Sequence, residues 1–294
     1  MDERRLRYFL AIIDEGSITG AAKRLHVAQP SLSQALRAFE AELGVELFHR
    51  VGRGLRPSGA GEALVGPARQ ILRSIDHARD EIAGVIELRR GTLDIAALPT
   101  LAVDPMSKLI GGFRERYPGV EVRVVEPDDA SGISALVGQG TCELGAAHLP
   151  LPGGQMTAYT LGVQELMFVL PPDTPVHGRN SIGARDLART PLVVSPPGTS
   201  TRMLLEQALE SVGVTPQIAV QTAAREAIVP LVLAGAGAAL LPAALAHEAR
   251  RRGAVVRRAR PTITRTVGLI HREGAVSPAA RAFIEFARTE SPHR

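Results

Sequence analysis

The stretch SITGAAKRLHVAQPSLSQALRAFEAEL, residues 17–43, leaves the chain few ways to fold. Its apolar residues recur at helical spacing on either side of a short break. In residues 18–25, Ala21, Ala22 and Leu25 face inward; in residues 30–43, Leu32, Leu36, Phe39 and Leu43 form an apolar stripe. Pro30 suits the first turn of the second helix, where a missing N–H leaves no hydrogen bond unmade. Small side chains at 21 and 22 let two helices cross closely, as a helix-turn-helix requires. Upstream, LRYFLAIIDEGS predicts a third helix that offers Leu6, Phe9, Leu10 and Ile13 to the pair. Downstream, Leu47 and Phe48 precede a Gly- and Arg-rich turn, the pattern of a wing. A helical hairpin from an unrelated core is the alternative, and both flanks argue against it. The second helix would then enter the DNA major groove, with Ser31, Ser33, Gln34 and Arg37 on its exposed side and Gln29 at its entrance.

These residues carry a resemblance to the LysR-type transcriptional regulators. Matching positions are Phe9, Gly16, Ser17, Ala21, Ala22, Leu25, the run Ala28, Gln29, Pro30, Ser31, Leu32, Ser33, and then Glu40, Leu43, Gly44, Leu47, Phe48, Arg50, Ser58, Ala60 and Gly61. Phe39 and the pair Pro57, Ser58 depart from the family's usual Leu and Leu-Thr while keeping the character of each site. The resemblance implies a winged helix-turn-helix in residues 1–58, a linker and dimerisation helix in 59–90, and an effector-binding domain in 91–294. It makes double-stranded promoter DNA, a small-molecule effector and RNA polymerase the expected partners, in a homodimer or homotetramer. Carried over residue by residue, Gln29, Pro30, Ser31, Ser33 and Gln34 read bases, because Gln can bond adenine bidentately and Ser can serve either edge. Arg37 and Arg50 are expected to hold phosphates, which position without specifying. Arg53, between Gly52 and Gly54, is the candidate for the minor groove.

A chain of 294 residues has room for about two domains. Hydrophobic residues make up 45%, yet aromatics only 3% and Trp is absent, so the cores must be aliphatic. A net charge of +4 would not by itself reveal a DNA-binding protein. The densest basic run, Arg250, Arg251, Arg252, Arg257, Arg258, Arg260 and Arg265, reads as a solvated helix end and strand edge, with an anion or subunit contact as the alternative. One cysteine, Cys142, excludes an internal disulfide and fits a reducing compartment. No leader-like segment precedes Leu6 and no apolar run nears the ~18 residues of a membrane span, so a cytoplasmic protein with no membrane partner is expected.

Residues 59–88 read as one helix, with Leu64, Ala68, Ile71, Ile75, Ala78, Ile82 and Val85 in steps of four and three. Such a seam suits pairing with a second copy, and at ~1.5 Å per residue the helix is ~40 Å long, more than a linker needs. Leu64, Ile71, Ile75 and Ile82 are the expected dimer contacts; packing on the helix's own domain is the alternative. From Thr92 onward, strands alternate with helices in two series, which argues an α/β domain of mostly parallel strands. The family resemblance implies a bilobed fold like periplasmic binding proteins. Lobe I would take residues 91–162 and 268–294, lobe II residues 163–267, and the crossovers would fall near 162–163 and 266–268.

Ligands of open α/β sheets sit at the carboxyl ends of strands, where helix N-termini offer partial positive charge. Thr100, Thr199, Ser200 and Thr222 occupy three such turns and could hold a small anion between the lobes. Thr100 and Ser200 match effector positions of the family, while plain helix capping competes for all four. His148 could line the same cleft. No phosphate loop, metalloprotease, hydrolase or C-x-x-C motif is present, and the eight His residues lack metal-ligand spacing. No catalytic residue, metal or cofactor is therefore expected. A regulator moved by its effector is the leading reading; a solute-binding or small-molecule enzyme domain with an incidental helical N-terminus is the alternative.

Overall fold

Asp2 starts the first helix by accepting a hydrogen bond from the Arg5 N–H at 2.8 Å. That helix, α1 (Glu3–Glu15), stops at Gly16, whose φ of 62° closes the last turn in the left-handed region. Ser17 then caps α2 (Ile18–Arg24), and α3 (Gln29–Leu43) follows with Pro30 in its first turn. A computed structural model describes residues 2–51, 54–84, 91–127, 129–151, 156–175, 180–188, 190–274 and 276–291, with only the backbone described at 50–51 and 76–84. Leu6, Phe9, Ile12, Ala21, Ala22, Leu32, Leu36 and Phe39 close into one core. Leu43, expected in the buried stripe, is 37% exposed because α3 overshoots the core beyond Phe39.

The wing is a hairpin of β1 (Phe48–Val51) and β2 (Gly54–Pro57), paired antiparallel with His49 opposite Arg56. The Glu40 carboxylate on α3 accepts from the Leu47 N–H at 2.8 Å and so fixes the wing to the recognition helix. Ser58 donates to the Glu46 carbonyl at 2.6 Å and accepts from the Gly61 N–H at 3.0 Å. It thereby starts α4 (Gly59–Gly84) against the wing base. Ala68 and Leu72 of α4 are buried in the winged core, with Leu64 and Ile71 packed beside them. The first half of the expected dimer seam is thus partly spent on the helix's own domain. Ile75 is half-buried; the side chain of Ile82 and residue 85 lie outside the described residues.

The regulatory half begins with β3 (Gly91–Ala97). The short α5 (Pro99–Leu101) passes through an irregular turn, non-helical at Asp104, into α6 (Ser107–Arg116). Next come β4 (Val120–Val125), α7 (Ala130–Gly138) and β5 (Leu144–Leu149). β3 pairs in parallel with both β4 and β5. Then β6 (Met156–Leu170) leaves this lobe, and the second lobe follows: β7 (Ser181–Gly183), β8 (Leu192–Val194), α8 (Ser200–Glu210), β9 (Ile218–Gln221), α9 (Ile228–Leu233), β10 (Ala239–Pro242) and α10 (Ala243–Arg251). β11 (Val255–Arg272) returns to the first lobe, where α11 (Pro278–Glu290) ends the fold.

The main sheet has the order β10-β6-β11-β5-β3-β4, with β7 on β11, while β8 and β9 form a separate parallel pair. The expectation of mostly parallel strands therefore fits β3, β4, β5, β8 and β9 but not the sheet's centre. There β6 and β11 run antiparallel from Leu170 opposite Val255 to Met156 opposite Arg272, spanning both lobes. Their polar stretches, residues 156–160 and 257–265, lack the apolar run of a buried strand, which hid their length. Near the expected crossover the register shifts between Val267 and Gly268, and a Cβ on Gly268 would stand 2.6 Å from the Tyr159 carbonyl oxygen. In lobe II the run Leu166 to Leu170 is continuous because the strand is covered on both sides. Leu166, Phe168 and Leu170 meet Leu205 and Leu209, while Met167 and Val169 meet Val232 and Ala246.

The close approach of α4 to the wing gives a test. A Cβ on Gly61 would collide with the Leu47 carbonyl oxygen, whereas Gly59 faces open space. Gly61→Ala should cost about 1–3 kcal/mol, as overpacking does, and Gly59→Ala should cost little. Melting curves of the two variants side by side decide it; equal melting temperatures would contradict this packing.

Candidate functional site

Two surfaces carry the functional residues, and the first is the outer face of α3. Opposite buried Leu32, Leu36 and Phe39, the helix exposes Pro30, Ser31, Gln34 and Arg37, with Gln29 exposed at its start and Ser33 half-buried on its flank. None of these side chains holds α3 to the core, so they are available to base edges and phosphates. Arg50 lies on β1 beside Leu55, described by its backbone alone, and Arg53 lies outside the described residues. Arg56, which the sequence pattern did not single out, is exposed on β2 opposite His49.

The second surface is a cavity of about 680 Å³ between the lobes. Its polar end is built around Arg265 of β11, only 7% exposed. Arg265 Nε donates to Gln164 Oε1 at 2.8 Å on the neighbouring strand. Nη1 donates to the hydroxyls of Ser200 (3.2 Å) and Thr201 (3.1 Å) at the N-terminus of α8, and Nη2 to the Thr100 hydroxyl (3.3 Å) at the start of α5. One guanidinium thus touches lobe I, lobe II and the crossover strands, and every partner is neutral. Among the described residues no carboxylate forms an ion pair with it. The one acid of the lining, Asp129, is committed to the cap of α7, accepting from the Ser131 hydroxyl (2.6 Å) and the Gly132 N–H (2.9 Å).

The electrostatics follow from that imbalance. Burial, and then the nearby Arg225, push the Arg265 guanidinium down to about 9, which still leaves it charged at neutral pH. His148 lines the same cavity, and its Nε2 is buried without a hydrogen-bond partner. Burial first, then Arg265 and Arg225, push its ring down to about 3, so it stays neutral. Two cations, an unpaired imidazole nitrogen and the N-terminus of an 11-residue helix converge on one end of the cavity. That arrangement suits a negative charge.

Thr100 and Ser200 both reach this centre, each through Arg265. Thr199 borders the cavity, but its hydroxyl donates to the Pro196 carbonyl at 2.9 Å and sits 2.7 Å from the Ser195 hydroxyl, so it serves the turn. Thr222 lies outside the lining; its hydroxyl accepts from the Ala224 N–H at 3.1 Å and starts the next helical turn. Arg265 itself was grouped with a solvated basic run. Arg251, Arg252, Arg258 and Arg260 are exposed as that reading expects. The antiparallel register with β6 turns Arg265 inward beside Gln164, a pairing invisible without the crossover strands. Among the described residues no group of three or more His, Cys, Asp or Glu could hold a metal ion.

A winged helix-turn-helix joined by a long helix to a two-lobed domain with a charged cleft defines a ligand-responsive DNA-binding protein. The family models agree in both halves: the bacterial regulatory helix-turn-helix of the lysR family matches residues 4–62, and the LysR substrate binding domain matches residues 87–292. The chain belongs to the LysR family of transcriptional regulators. It is 29% identical over 98% of its length to the regulator CbbR of Xanthobacter flavus, covering 87% of that protein. It is also 29% identical over 92% of its length to a probable hydrogen peroxide-inducible genes activator of Mycobacterium avium, covering 88% of it. The crystal structure of full-length CbnR in complex with its target DNA shares the fold, with a TM-score of 0.70 at 23% identity, covering 98% of this chain and 99% of that one.

Two predictions follow from these surfaces. Gln29→Ala should lose about 1–3 kcal/mol of discrimination between operator and random DNA, while Arg37→Ala should weaken both and flatten the salt dependence. Mobility shifts at several salt concentrations separate them, and equal losses on both DNAs in both variants would overturn the assignment of α3. For His148, a folded value near 3 against an ordinary value near 6.5 means that the unfolded chain binds the extra proton. Its contribution to stability is present above pH ~6.5 and is lost as pH falls toward 3, by up to about 1.4 kcal/mol per pH unit. Denaturation between pH 7 and 5 should therefore be less steep with pH in His148→Gln than in the wild type; identical slopes would place a charged imidazole in the cavity.

Proposed function

We propose that the effector of this LysR-type DNA-binding transcriptional regulator is a small anion, held in the interlobe cavity by Arg265 together with Thr100, Ser200 and Thr201. The buried guanidinium with only neutral partners carries this reading. Taking such a charge out of water costs several kcal/mol, and a bound anion would offset that cost while touching both lobes. Closure of the lobes on the anion would reposition paired winged domains on promoter DNA. Homodimers or homotetramers supply the pairing, and RNA polymerase is the partner at the promoter that the family's role implies. On α4, Pro67, Gln70, Ile71, Ser74 and Ile75 line an outward groove that suits a second copy. A cytoplasmic location accords with a free buried thiol and with the lack, among the described residues, of any helix long and apolar enough to cross a membrane.

Peroxide response is the competing reading that the mycobacterial relative's name suggests. The chain has one cysteine, and burial followed by the charge of Asp94 pushes the Cys142 thiol up to about 11. A thiol so held is a poor nucleophile toward peroxide, which favours the anion.

Arg265→Met tests the proposal. In anion-poor buffer the variant should be more stable than the wild type, by about 1–4 kcal/mol if it behaves as other buried charges replaced by apolar groups do. Sulfate and phosphate should raise the wild-type melting temperature and leave that of the variant unmoved. A variant that melts earlier and still responds to these anions would make Arg265 a structural clasp and send the effector elsewhere.

A further inference from the structure

The cavity's cations are Arg265 and Arg225, and its one carboxylate, Asp129, is committed to the cap of α7. Arg225 lies close enough to Arg265 to lower its proton affinity, so the positive charge is gathered in one place. The larger apolar residues of the lining are Leu98, Leu149, Pro150, Val163, Met203 and Leu204, and besides Arg265, Arg225, Asp129 and His148 the polar side chains that line it are hydroxyls and the Gln207 amide, all neutral. Val163 and Met203 are 59% and 47% exposed, among the most exposed large apolar side chains of the described residues. They sit on different walls: Val163 on β6, paired with Thr266 next to Arg265, and Met203 in the first turn of α8. Exposed apolar surface lining a cavity gains by being covered, and a polar ligand body would lose its water there without replacement bonds. Among the described residues the lining contains no Phe, Tyr or Trp ring on which a nucleobase could stack.

We infer that the effector is a hydrophobic monocarboxylate, with its carboxylate at Arg265 and an apolar body covered by Val163, Met203, Leu204 and Leu149. Met203 and Val163 then set specificity for the body, while Arg265 sets it for the head. This rests on the cavity being the effector site. Planar bidentate bonding by a guanidinium suits a carboxylate, and the Thr100, Ser200 and Thr201 hydroxyls can turn from Arg265 to the ligand without leaving their helices.

Calorimetric titration of the full-length protein with straight-chain carboxylates from propionate to octanoate reads head and body separately. Hexanamide, adipate and inorganic sulfate serve as the comparison ligands. Affinity should rise up to about fourfold per methylene in the wild type and more shallowly in Met203→Ala. Arg265→Met should bind none of the series detectably. Hexanamide should bind at least tenfold more weakly than hexanoate, and adipate should also be weaker, because its second carboxylate meets apolar walls. Affinity independent of chain length, adipate tighter than hexanoate, or failure of the whole series to bind would each overturn the class. Sulfate bound in an Arg265-dependent way alongside such a failure would leave the anion site standing. Carboxylate binding undiminished in Arg265→Met would overturn the site as well.

Discussion

A single buried cation organises the regulatory half of this protein. Arg265 leaves water for a place where four side-chain oxygens, from Gln164, Ser200, Thr201 and Thr100, accept from four of its five N–H groups but none offsets its charge. Hydroxyl and amide dipoles stabilise a guanidinium less than a carboxylate does. The ligand-free cleft is therefore held together by bonds that a negatively charged guest can improve upon. These bonds reach both lobes and both crossover strands, so a guest that replaces them acts on both lobes at once.

How that change could reach DNA is suggested by α4. Its first half is locked to the winged core through Ala68, Leu72 and the tie between Ser58 and the wing base. Arg69, between Ala68 and Leu72, bonds Asp14 near the end of α1 at 2.9 Å and the Thr141 hydroxyl in lobe I. One side chain thus touches the DNA-binding core and the lobe that carries Thr100. An effector acts by binding one arrangement of the assembly better than another, since equal affinity for both would shift nothing.

The winged domain was largely legible from its sequence because its signals are local. Helical spacing, Pro30 and the pair Ala21 and Ala22 each act within a few residues, and each has its counterpart in the fold. What escaped was long-range. β6 and β11 are defined by pairing with each other across about a hundred residues, and their polar stretches carry no buried-strand pattern. Missing that pairing meant missing Arg265, which looks in the sequence like one more arginine in a basic run. A lone cation standing opposite hydroxyl-bearing turns was the available signal, and it becomes readable only once strand register is known. Thr199 and Thr222 show the converse ambiguity: Ser and Thr near helix starts satisfy backbone groups as readily as ligands, and here both hydroxyls bond the backbone.

The most direct test is a crystal structure of the full-length protein grown with hexanoate. The account predicts the carboxylate within hydrogen-bond distance of the Arg265 guanidinium, with the hydroxyls of Thr100 or Ser200 turned onto it and the chain lying against Met203. A cavity unchanged from the ligand-free state, with hexanoate absent or bound away from Arg265, would contradict it.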